Sequence, residues 1–214
     1  SEMGKIPEAF ICIEDERFYE HGGIDIKRTA GAILDYVIHG GSSSSGGSTI
    51  TQQLVKITMK DNDRSWERKI REWSRASQVE KMLTKDQILQ RYLNRIYLGS
   101  SSGLEIKGVE AASNYDFNKP AKDLSVAQSA FIAGINHAPN AYNVFTADDK
   151  DEVMEIAKKR TRTVIGKMHE LGKITDEENE TALNEINEGL KFEQGSMSNG
   201  KSDLSYHTAA AIND

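Results

Sequence analysis

The sequence predicts a mainly α-helical fold, and three observations support this. Apolar residues recur at three- and four-residue intervals along most of the 214 residues, which is the spacing of one helix face. Several segments begin with Ser or Thr followed three residues later by Gln or Glu, the pattern of an N-terminal capping box. The alternation typical of β-strands is scarce, and Phe10 to Ile13 is the best candidate for a strand.

Two helices are predicted in the first part of the chain. Ile26 to His39 has helical periodicity and ends at Gly40-Gly41, since glycine commonly terminates helices. Ser48 or Thr49 caps the second helix, and the spacing of Thr49 to Gln52 is that of a capping box. The lead-in between them, Gly40 to Ser45, consists of glycine and serine, and we expect it to be flexible without substrate.

Two further helices are predicted next along the chain. Arg64 to Leu83 carries an amphipathic stripe at three- and four-residue intervals. Thr84 and Gln87 have capping-box spacing and open a helix whose apolar face runs from Ile88 to Tyr97. Gly99 is predicted to stop that helix.

The rest of the chain is predicted to be helical with recognisable end signals. Its helices are Val126 to Ile135 after Ser125, Lys150 to Leu171 before Gly172, and a last one from Thr175 to about Gly189. One domain is predicted over residues 1–194, since no internal repeat is present and Gly195 to Lys201 is linker-like. Residues 195–214 are predicted to be a linker or the start of a following, transpeptidase-type region.

Composition narrows the class of ligand. The net charge of −6 and the pI near 5.5 argue against nucleic acid as a partner. Seven Lys and Arg residues against four Asp and Glu nevertheless lie between Lys56 and Arg75, which suggests an anionic ligand at one site. Cys12 is the only cysteine, so an internal disulfide is excluded, and we interpret it as a small buried hydrophobe.

The segment EDERFYEHGG, which begins at Glu14, carries the first candidate chemistry. It follows an apolar run, so one carboxylate of the pair Glu14-Asp15 is expected near buried surface. A carboxylate there could act as a general acid or base. The alternative is a helix start with solvated charges, and His21 alone is typical of a hydrogen-bonded core histidine. No His or Cys pair has zinc-ligand spacing.

Two more segments carry polar groups that suit an anion. The segment GGSTITQQLVK ends at Lys56 and matches neither a phosphate-binding Walker A loop nor a nucleophile elbow. It offers a Ser- and Thr-rich helix N-terminus, where free N–H groups attract anions; the alternative is a plain capped helix. Arg68 and Glu72 lie one helical turn apart. The alternative to a role at an anion site is that this pair forms an exposed salt bridge.

Taken together, five segments form a known pattern: EDERFYEHGG, GGSTITQQLVK, RKIRE, ILQRYLNRIYLG and GVEAASNYDF. Their order and approximate spacing resemble those of the family 51 peptidoglycan glycosyltransferases, found in class A penicillin-binding proteins and monofunctional transglycosylases. The resemblance runs from about Ile6 to Leu190. It implies a mainly helical, bilobal fold with a larger, lysozyme-like head lobe and a smaller, membrane-proximal jaw lobe. It also implies polymerisation of lipid II into β-1,4-linked glycan, with inversion and release of undecaprenyl diphosphate.

The resemblance also implies a role for individual residues. Glu14 matches the general base for the acceptor's 4-hydroxyl, and Glu72 matches a second acid near the diphosphate or its metal. Contacts to the diphosphate are implied for Gly46, Ser48, Thr49, Gln53, Lys56, Arg68 and Lys69. A role in shaping the site is implied for Asp15, Phe18 and His21. A divalent cation, Mg²⁺ or Mn²⁺, is expected with the substrate diphosphate.

The residue chemistry agrees with transfer from a diphosphate. A diphosphate is a good leaving group, so cations are needed more than a strong general acid. The first alternative is a lysozyme-like muramidase that uses Glu14 as an acid. The second is a catalytically silent cell-wall scaffold domain, against which the joint presence of Glu14, Glu72 and the cations speaks.

The chain departs from the family pattern at four places. Asn136 stands where proline is usual, Val144 where a YNP segment would end with proline, and Asp116 interrupts a segment resembling YYF. Ser100 to Lys107 looks longer than the usual loop. These departures are expected to affect local packing rather than chemistry.

Membrane contact is a further implication, because lipid II stays in the bilayer. The expected location is the extracytoplasmic face of the bacterial membrane, with an N-terminal anchor outside this sequence and partners in a cell-wall synthesis complex. No run of residues approaches the roughly 20 apolar residues of a membrane span. The candidates for a dipping surface, that is, an apolar surface that inserts partly into the bilayer, are Ile33, Leu34, Tyr36, Val37, Ile38, Ile57 and Met59. The alternative is that these residues belong to the core.

Overall fold

A computed structural model describes residues 3–38, 47–59 and 66–196. These residues form nine α-helices and one two-stranded antiparallel sheet, so the mainly α class is confirmed. The elements are α1 (Ile6–Glu14), α2 (Ile26–Ile38), α3 (Ile50–Met59), α4 (Trp66–Met82), α5 (Lys85–Leu93), β1 (Tyr97–Ser101), β2 (Leu104–Lys107), α6 (Val109–Phe117), α7 (Val126–Gly134), α8 (Lys150–Glu170) and α9 (Asp176–Glu188). The lead-in Gly40 to Ser45 lies outside the described residues.

The predicted capping boxes are confirmed. At Thr84, Ser125 and Thr175 the hydroxyl accepts from the third backbone N–H of the helix, and the Gln or Glu at that position accepts from the backbone of the cap. Thr49 and Gln52 make the same reciprocal pair at the start of α3. These bonds satisfy N–H groups that a helix leaves without partners, which explains why the helices begin there.

The predicted strand from Phe10 to Ile13 is wrong, because these residues lie inside α1. Pro7 stands in the first turn of that helix, where its missing N–H costs nothing. The helix packs against α7 and α8 and is buried on most sides, so its apolar run is continuous rather than periodic. A short continuous run does not distinguish a buried helix from a buried strand.

The helix predicted to continue to Tyr97 ends at Leu93 instead, and Tyr97 begins β1. The segment Ser100 to Lys107, expected to be a long loop, is mostly the hairpin of β1 and β2. Its turn residues Ser102 and Gly103 have φ of 52° and 79°, the left-handed pair of a type I′ turn. Tertiary packing determines that this region forms strands rather than a helix, since both strands place apolar side chains in the core.

Seven of the nine helices pack in two sets that share one hydrophobic core. The first set is α1, α7, α8 and α9, and the second is α3, α4 and α5. Phe10 of α1 meets Tyr92 of α5 edge-on, with ring centroids 5.9 Å apart. This contact places the C-terminal end of α1 beside α3. The division into head and jaw lobes stays an expectation from the resemblance.

The segment after α9 packs on α6. Phe192 stacks on Phe117 at 5.2 Å, and the N–H groups of Glu193 and Gly195 donate to the carbonyls of Asp116 and Tyr115. The described chain therefore packs against α6 as far as Gly195. The domain boundary after residue 194 stays a prediction, because residues 197–214 lie outside the described part.

Candidate active site

Glu14, the last residue of α1, is half-buried and faces a cleft. Gln53 of α3 donates from Nε2 to Glu14 Oε2 at 2.9 Å. The cleft has a volume of about 970 Å³, and its walls include Arg28 of α2 together with Thr163 and Lys167 of α8. A carboxylate that keeps one face toward such a cleft is placed to exchange a proton with a bound molecule.

Asp15 is the fully buried member of the acidic pair, as expected for one of the two. Its Oδ2 accepts from the backbone N–H of Ile50 at 2.9 Å, at the positive N-terminal end of α3. The N–H of Gly23 donates to Nδ1 of His21, so Nε2 of His21 carries the hydrogen that it donates to Asp15 Oδ1 at 2.9 Å. Asp15 thus ties the turn after α1 to the start of α3.

Three further side chains hold this turn in place. Phe18 is fully buried, and the Nζ of Lys85 lies 4.5 Å above the centre of its ring. The hydroxyl of Thr49, also buried, donates to the carbonyl of Gly23 at 2.7 Å. Gly23 has φ of 93°, and a Cβ there would lie 2.9 Å from the backbone of Ala76 in α4. The turn is therefore fixed against both α3 and α4.

Glu72 of α4 is bound by two cations. Arg68 Nη1 and Lys69 Nζ each lie 2.6 Å from one of its oxygens. Lys69 also donates to Ser48 Oγ at 3.0 Å, which connects α4 to the segment before α3. The interpretation of Arg68 and Glu72 as an exposed salt bridge is wrong, because the Glu72 residue is only 5 % exposed. A buried carboxylate with two cations is a fixed element rather than a solvated pair.

The predicted cations come together around Glu72. Lys56 of α3 and Arg68 of α4 line one small hollow with Glu72, and Arg75 lies there too. Three cations against one acid leave positive charge, which suits an anion. Arg75 belongs to the basic segment that predicts an anionic ligand, but it is not among the individually predicted site residues; it lies seven residues after Arg68 on the same helical face. The predicted contact Gly46 lies outside the described residues.

The described residues offer a resident metal ion no suitable ligand set. Oxygens and a nitrogen of Asp15, His21 and Asp25 lie within 4.8 Å of one another. Asp25, however, pairs with Arg17 at 2.8 Å, and Asp15 and His21 bind each other. Burial opposes ionisation of Asp25, but hydrogen bonds from Arg17 and the Arg28 N–H hold its pKa below the ordinary value. These groups are engaged in holding the turn together.

Cys12 and two of the departures from the family pattern, Val144 and Asp116, are buried. Cys12 is a buried residue at the wall of the cleft, so the interpretation as a small buried hydrophobe is confirmed. Burial raises the pKa of its thiol to about 11. Val144 is part of the buried interior. Asp116 is also buried, and desolvation raises the pKa of its carboxyl to about 8.

Part of the predicted dipping surface is exposed. Leu34 and Ile38 of α2 are 61 % and 66 % exposed, and Met59 of α3 is 47 % exposed. Ile57 instead packs against the core. The side chains of Ile33, Tyr36 and Val37 lie outside the description. None of the helices in the described ranges has the length and apolarity that a bilayer crossing demands.

Comparisons with known proteins agree with one family. A transglycosylase family model matches residues 3–169. Penicillin-binding protein 1A of Clostridium perfringens strain 13 is 42 % identical over 191 residues, which cover 87 % of this chain and 27 % of that protein. Penicillin-binding protein 1F of Bacillus subtilis is 40 % identical over 178 residues, 83 % of this chain and 23 % of its own length.

The solved structures include a similar chain, the 2.6 Å crystal structure of penicillin-binding protein 1A from Haemophilus influenzae. It is 23 % identical with a TM-score of 0.43, and the match covers 69 % of this chain and 17 % of that one. The chain thus spans about a quarter of the length of these curated relatives.

Proposed function

Since the chain belongs to the transglycosylase family, family 51 of the glycosyltransferases, we propose that it polymerises lipid II into β-1,4-linked glycan strands. The observation that carries this proposal is the position of Glu14. It faces a large cleft, and its partner Gln53 lies one turn before Lys56 on the same helix. Helix α3 therefore carries both the hydrogen-bond partner of the base and one of the cations around Glu72.

The proposed reaction is one displacement. Glu14 accepts the proton of the acceptor's 4-hydroxyl while that oxygen forms a bond to the anomeric carbon of the donor. The bond from that carbon to the diphosphate breaks, and undecaprenyl diphosphate leaves with the electron pair. Lys56, Arg68 and Arg75 offset the charge that develops on the leaving oxygens. Attack opposite the leaving group inverts the sugar carbon.

The acceptor is assigned to the cleft of about 970 Å³. Glu14 lines this cleft, and a proton acceptor must lie within hydrogen-bond reach of the hydroxyl that it deprotonates. Arg28 and Lys167, which both line this cleft, would attract the acceptor's own diphosphate. The donor diphosphate then lies on the side of Lys56.

Glu72 is proposed to position cations rather than to bind a metal. Both of its oxygens are occupied, one by Arg68 and the other by Lys69. Mg²⁺ or Mn²⁺ would arrive with the substrate diphosphate, and the proposed displacement uses only side chains of this protein. Titration of the activity with a chelator, followed by readdition of each metal, tests that expectation.

We also propose that the domain works at the extracytoplasmic face of the bacterial membrane, within a cell-wall synthesis complex and with an anchor supplied by a preceding segment. The exposed side chains of Leu34, Ile38 and Met59 support the contact with lipid. The net charge of −6 speaks against nucleic acid as a partner. Flotation of the protein with vesicles of bacterial lipids tests the membrane contact.

One experiment separates the proposed transferase from the alternatives. The protein is incubated with labelled lipid II and Mg²⁺ in detergent, and in parallel with purified glycan polymer. We expect polymer of increasing length from lipid II, because the cations favour departure of a diphosphate, and no fragments from the polymer. Fragments without new polymer would indicate a muramidase, and inactivity toward both would indicate a scaffold domain.

A further inference from the structure

Three side chains from three different elements form a hydrogen-bonded chain that ends on Glu14. Asn136, in the turn after α7, donates from Nδ2 to the hydroxyl of Tyr92 at 3.4 Å. Tyr92 donates from that hydroxyl to Oε1 of Gln53 at 2.9 Å. Gln53 donates to Glu14 at 2.9 Å. Every donor in the chain points toward the carboxylate, so each bond polarises the next one in the same direction.

The direction of this chain is fixed by its chemistry. A carboxylate only accepts hydrogen bonds, so Gln53 must turn its amide toward Glu14 and its carbonyl toward Tyr92. Tyr92 must then donate. It is fully buried, and burial together with the negative charge of Glu14 raises the pKa of the Tyr92 hydroxyl well above its ordinary value. The hydroxyl therefore stays protonated and keeps its role as donor.

The chain of bonds leaves Glu14 one oxygen for the acceptor. Gln53 occupies Oε2, and no hydrogen bond reaches Oε1 from the described residues. The ring of Tyr92 is locked by its edge contact with Phe10, so its hydroxyl cannot move away from Gln53 without disturbing the core. The orientation of the carboxylate thus depends on a rigid aromatic ring nearly forty residues away from Gln53 in sequence.

The outer end of this hydrogen-bonded series departs from the family pattern. Asn136 stands at a position where the family pattern usually has proline. Proline has no side-chain donor, so it could not bind the Tyr92 hydroxyl. Asn136 was expected to affect only local packing. It is instead connected to Glu14 through the Tyr92 hydroxyl and Gln53.

We propose that Tyr92 and Asn136 are positioning residues for the base: through Gln53 they hold Glu14 in the orientation in which it accepts the acceptor's proton. This rests on the proposed function. Gln53, for which the resemblance implies a contact to the diphosphate, would act through Glu14 instead. The 3.4 Å contact is the weaker one, so Tyr92 contributes more than Asn136.

The test compares Tyr92→Phe and Asn136→Ala with the parent in steady-state polymerisation of lipid II. We expect Tyr92→Phe to lower kcat about 3- to 10-fold, the range of one neutral hydrogen bond, and Asn136→Ala to lower it about twofold, with KM unchanged in both. The acidic limb of the pH–rate profile should move to higher pH, because the ionised form of Glu14 loses support.

The matched control is Tyr115→Phe. It removes the hydroxyl of another buried tyrosine, which bonds to Asn143 and not to the site. The titratable side chains that line the cleft with Glu14 stay the same in all variants: Cys12, Glu16, Arg17, Arg28, His137, Arg160, Lys167 and Glu170. A pH–rate profile of Tyr92→Phe that coincides with that of the parent would overturn the proposal, as would an equal shift in Tyr115→Phe.

A second measurement does not need lipid II and so separates this proposal from the proposed function. The carboxyl carbon of Glu14 is followed by NMR with ¹³C-labelled glutamate, and its signal is identified by its loss in Glu14→Gln. We expect the pH of half-titration to rise in Tyr92→Phe but not in Tyr115→Phe. An unchanged titration would contradict the proposal even if the parent makes polymer, and a raised one would support it even if the parent makes none.

Discussion

Replacing Glu14 with glutamine is expected to lower the rate of lipid II polymerisation by about 10²- to 10⁴-fold, the usual contribution of a general base. Glutamine has nearly the same shape as glutamate and preserves the wall of the cleft, but its amide cannot accept a proton. Binding of the donor is expected to change little, because its cations lie on the side of Lys56. The measurement is the initial rate of labelled polymer formation at saturating lipid II.

Glu16→Gln provides a matched control for that experiment. Glu16 lines the same cleft two residues away, but it is exposed and pairs with Lys167 at 3.0 Å. Its replacement should leave at least half of the activity, because an exposed pair contributes little. Equal rates for the parent and Glu14→Gln, with thermal midpoints that agree, would exclude Glu14 as the base.

The second large effect concerns stability. Asp116→Asn is expected to raise the free energy of unfolding, and the gain should grow with pH. Asp116 is 5 % exposed, and burial raises the pKa of its carboxyl from 3.8 to about 8. No charged side chain in the described part of the chain contributes to that shift, so burial alone acts.

The direction of the pH effect follows from proton binding. In the unfolded chain Asp116 loses its proton near pH 3.8, while in the folded protein it keeps it to about pH 8. Below pH 3.8 the carboxyl is protonated in both states, so its ionisation does not change the free energy of unfolding. As the pH rises toward 8, the unfolded state is favoured by up to about 1.4 kcal/mol per pH unit. Asparagine carries no charge in either state, so the Asp116→Asn variant loses this dependence of the free energy of unfolding on pH.

Urea unfolding at pH 5 and pH 7.5 measures the effect. The difference between Asp116→Asn and the parent should be larger at pH 7.5. Asp123→Asn is the matched control, since Asp123 is exposed two residues before Ser125, and it should shift both values alike. A gain that is the same at both pH values would mean that Asp116 is ionised in the folded protein.

The helix starts of this fold could be predicted from sequence, because capping is a local interaction between residues three apart. Thr84, Ser125 and Thr175 illustrate this. The identity of α1 and the end of α5 could not be predicted, because both depend on which surfaces bury an apolar run. Phe10 lies in a helix and Leu98 in a strand, although both belong to similar apolar runs.

The candidate site divides in the same way. Arg68 and Glu72 are one turn apart, so their pairing could be predicted, but the burial of Glu72 depends on the packing of α3 and could not. The series of hydrogen bonds from Asn136 through Tyr92 and Gln53 to Glu14 joins residues far apart in sequence. Only the folded arrangement of α1, α3 and α5 brings them together.

The central claim is that one base and a group of cations carry out a single displacement at a diphosphate-linked sugar. The stereochemistry of the new linkage tests it most directly. Polymer made from lipid II carrying ¹³C at the anomeric carbon is examined by NMR for the carbon–proton coupling of each linkage. Inversion requires β linkages formed from an α-linked donor, with one undecaprenyl diphosphate released for each. Linkages of the α configuration would mean retention, and hence a covalent intermediate that a single base at Glu14 does not provide.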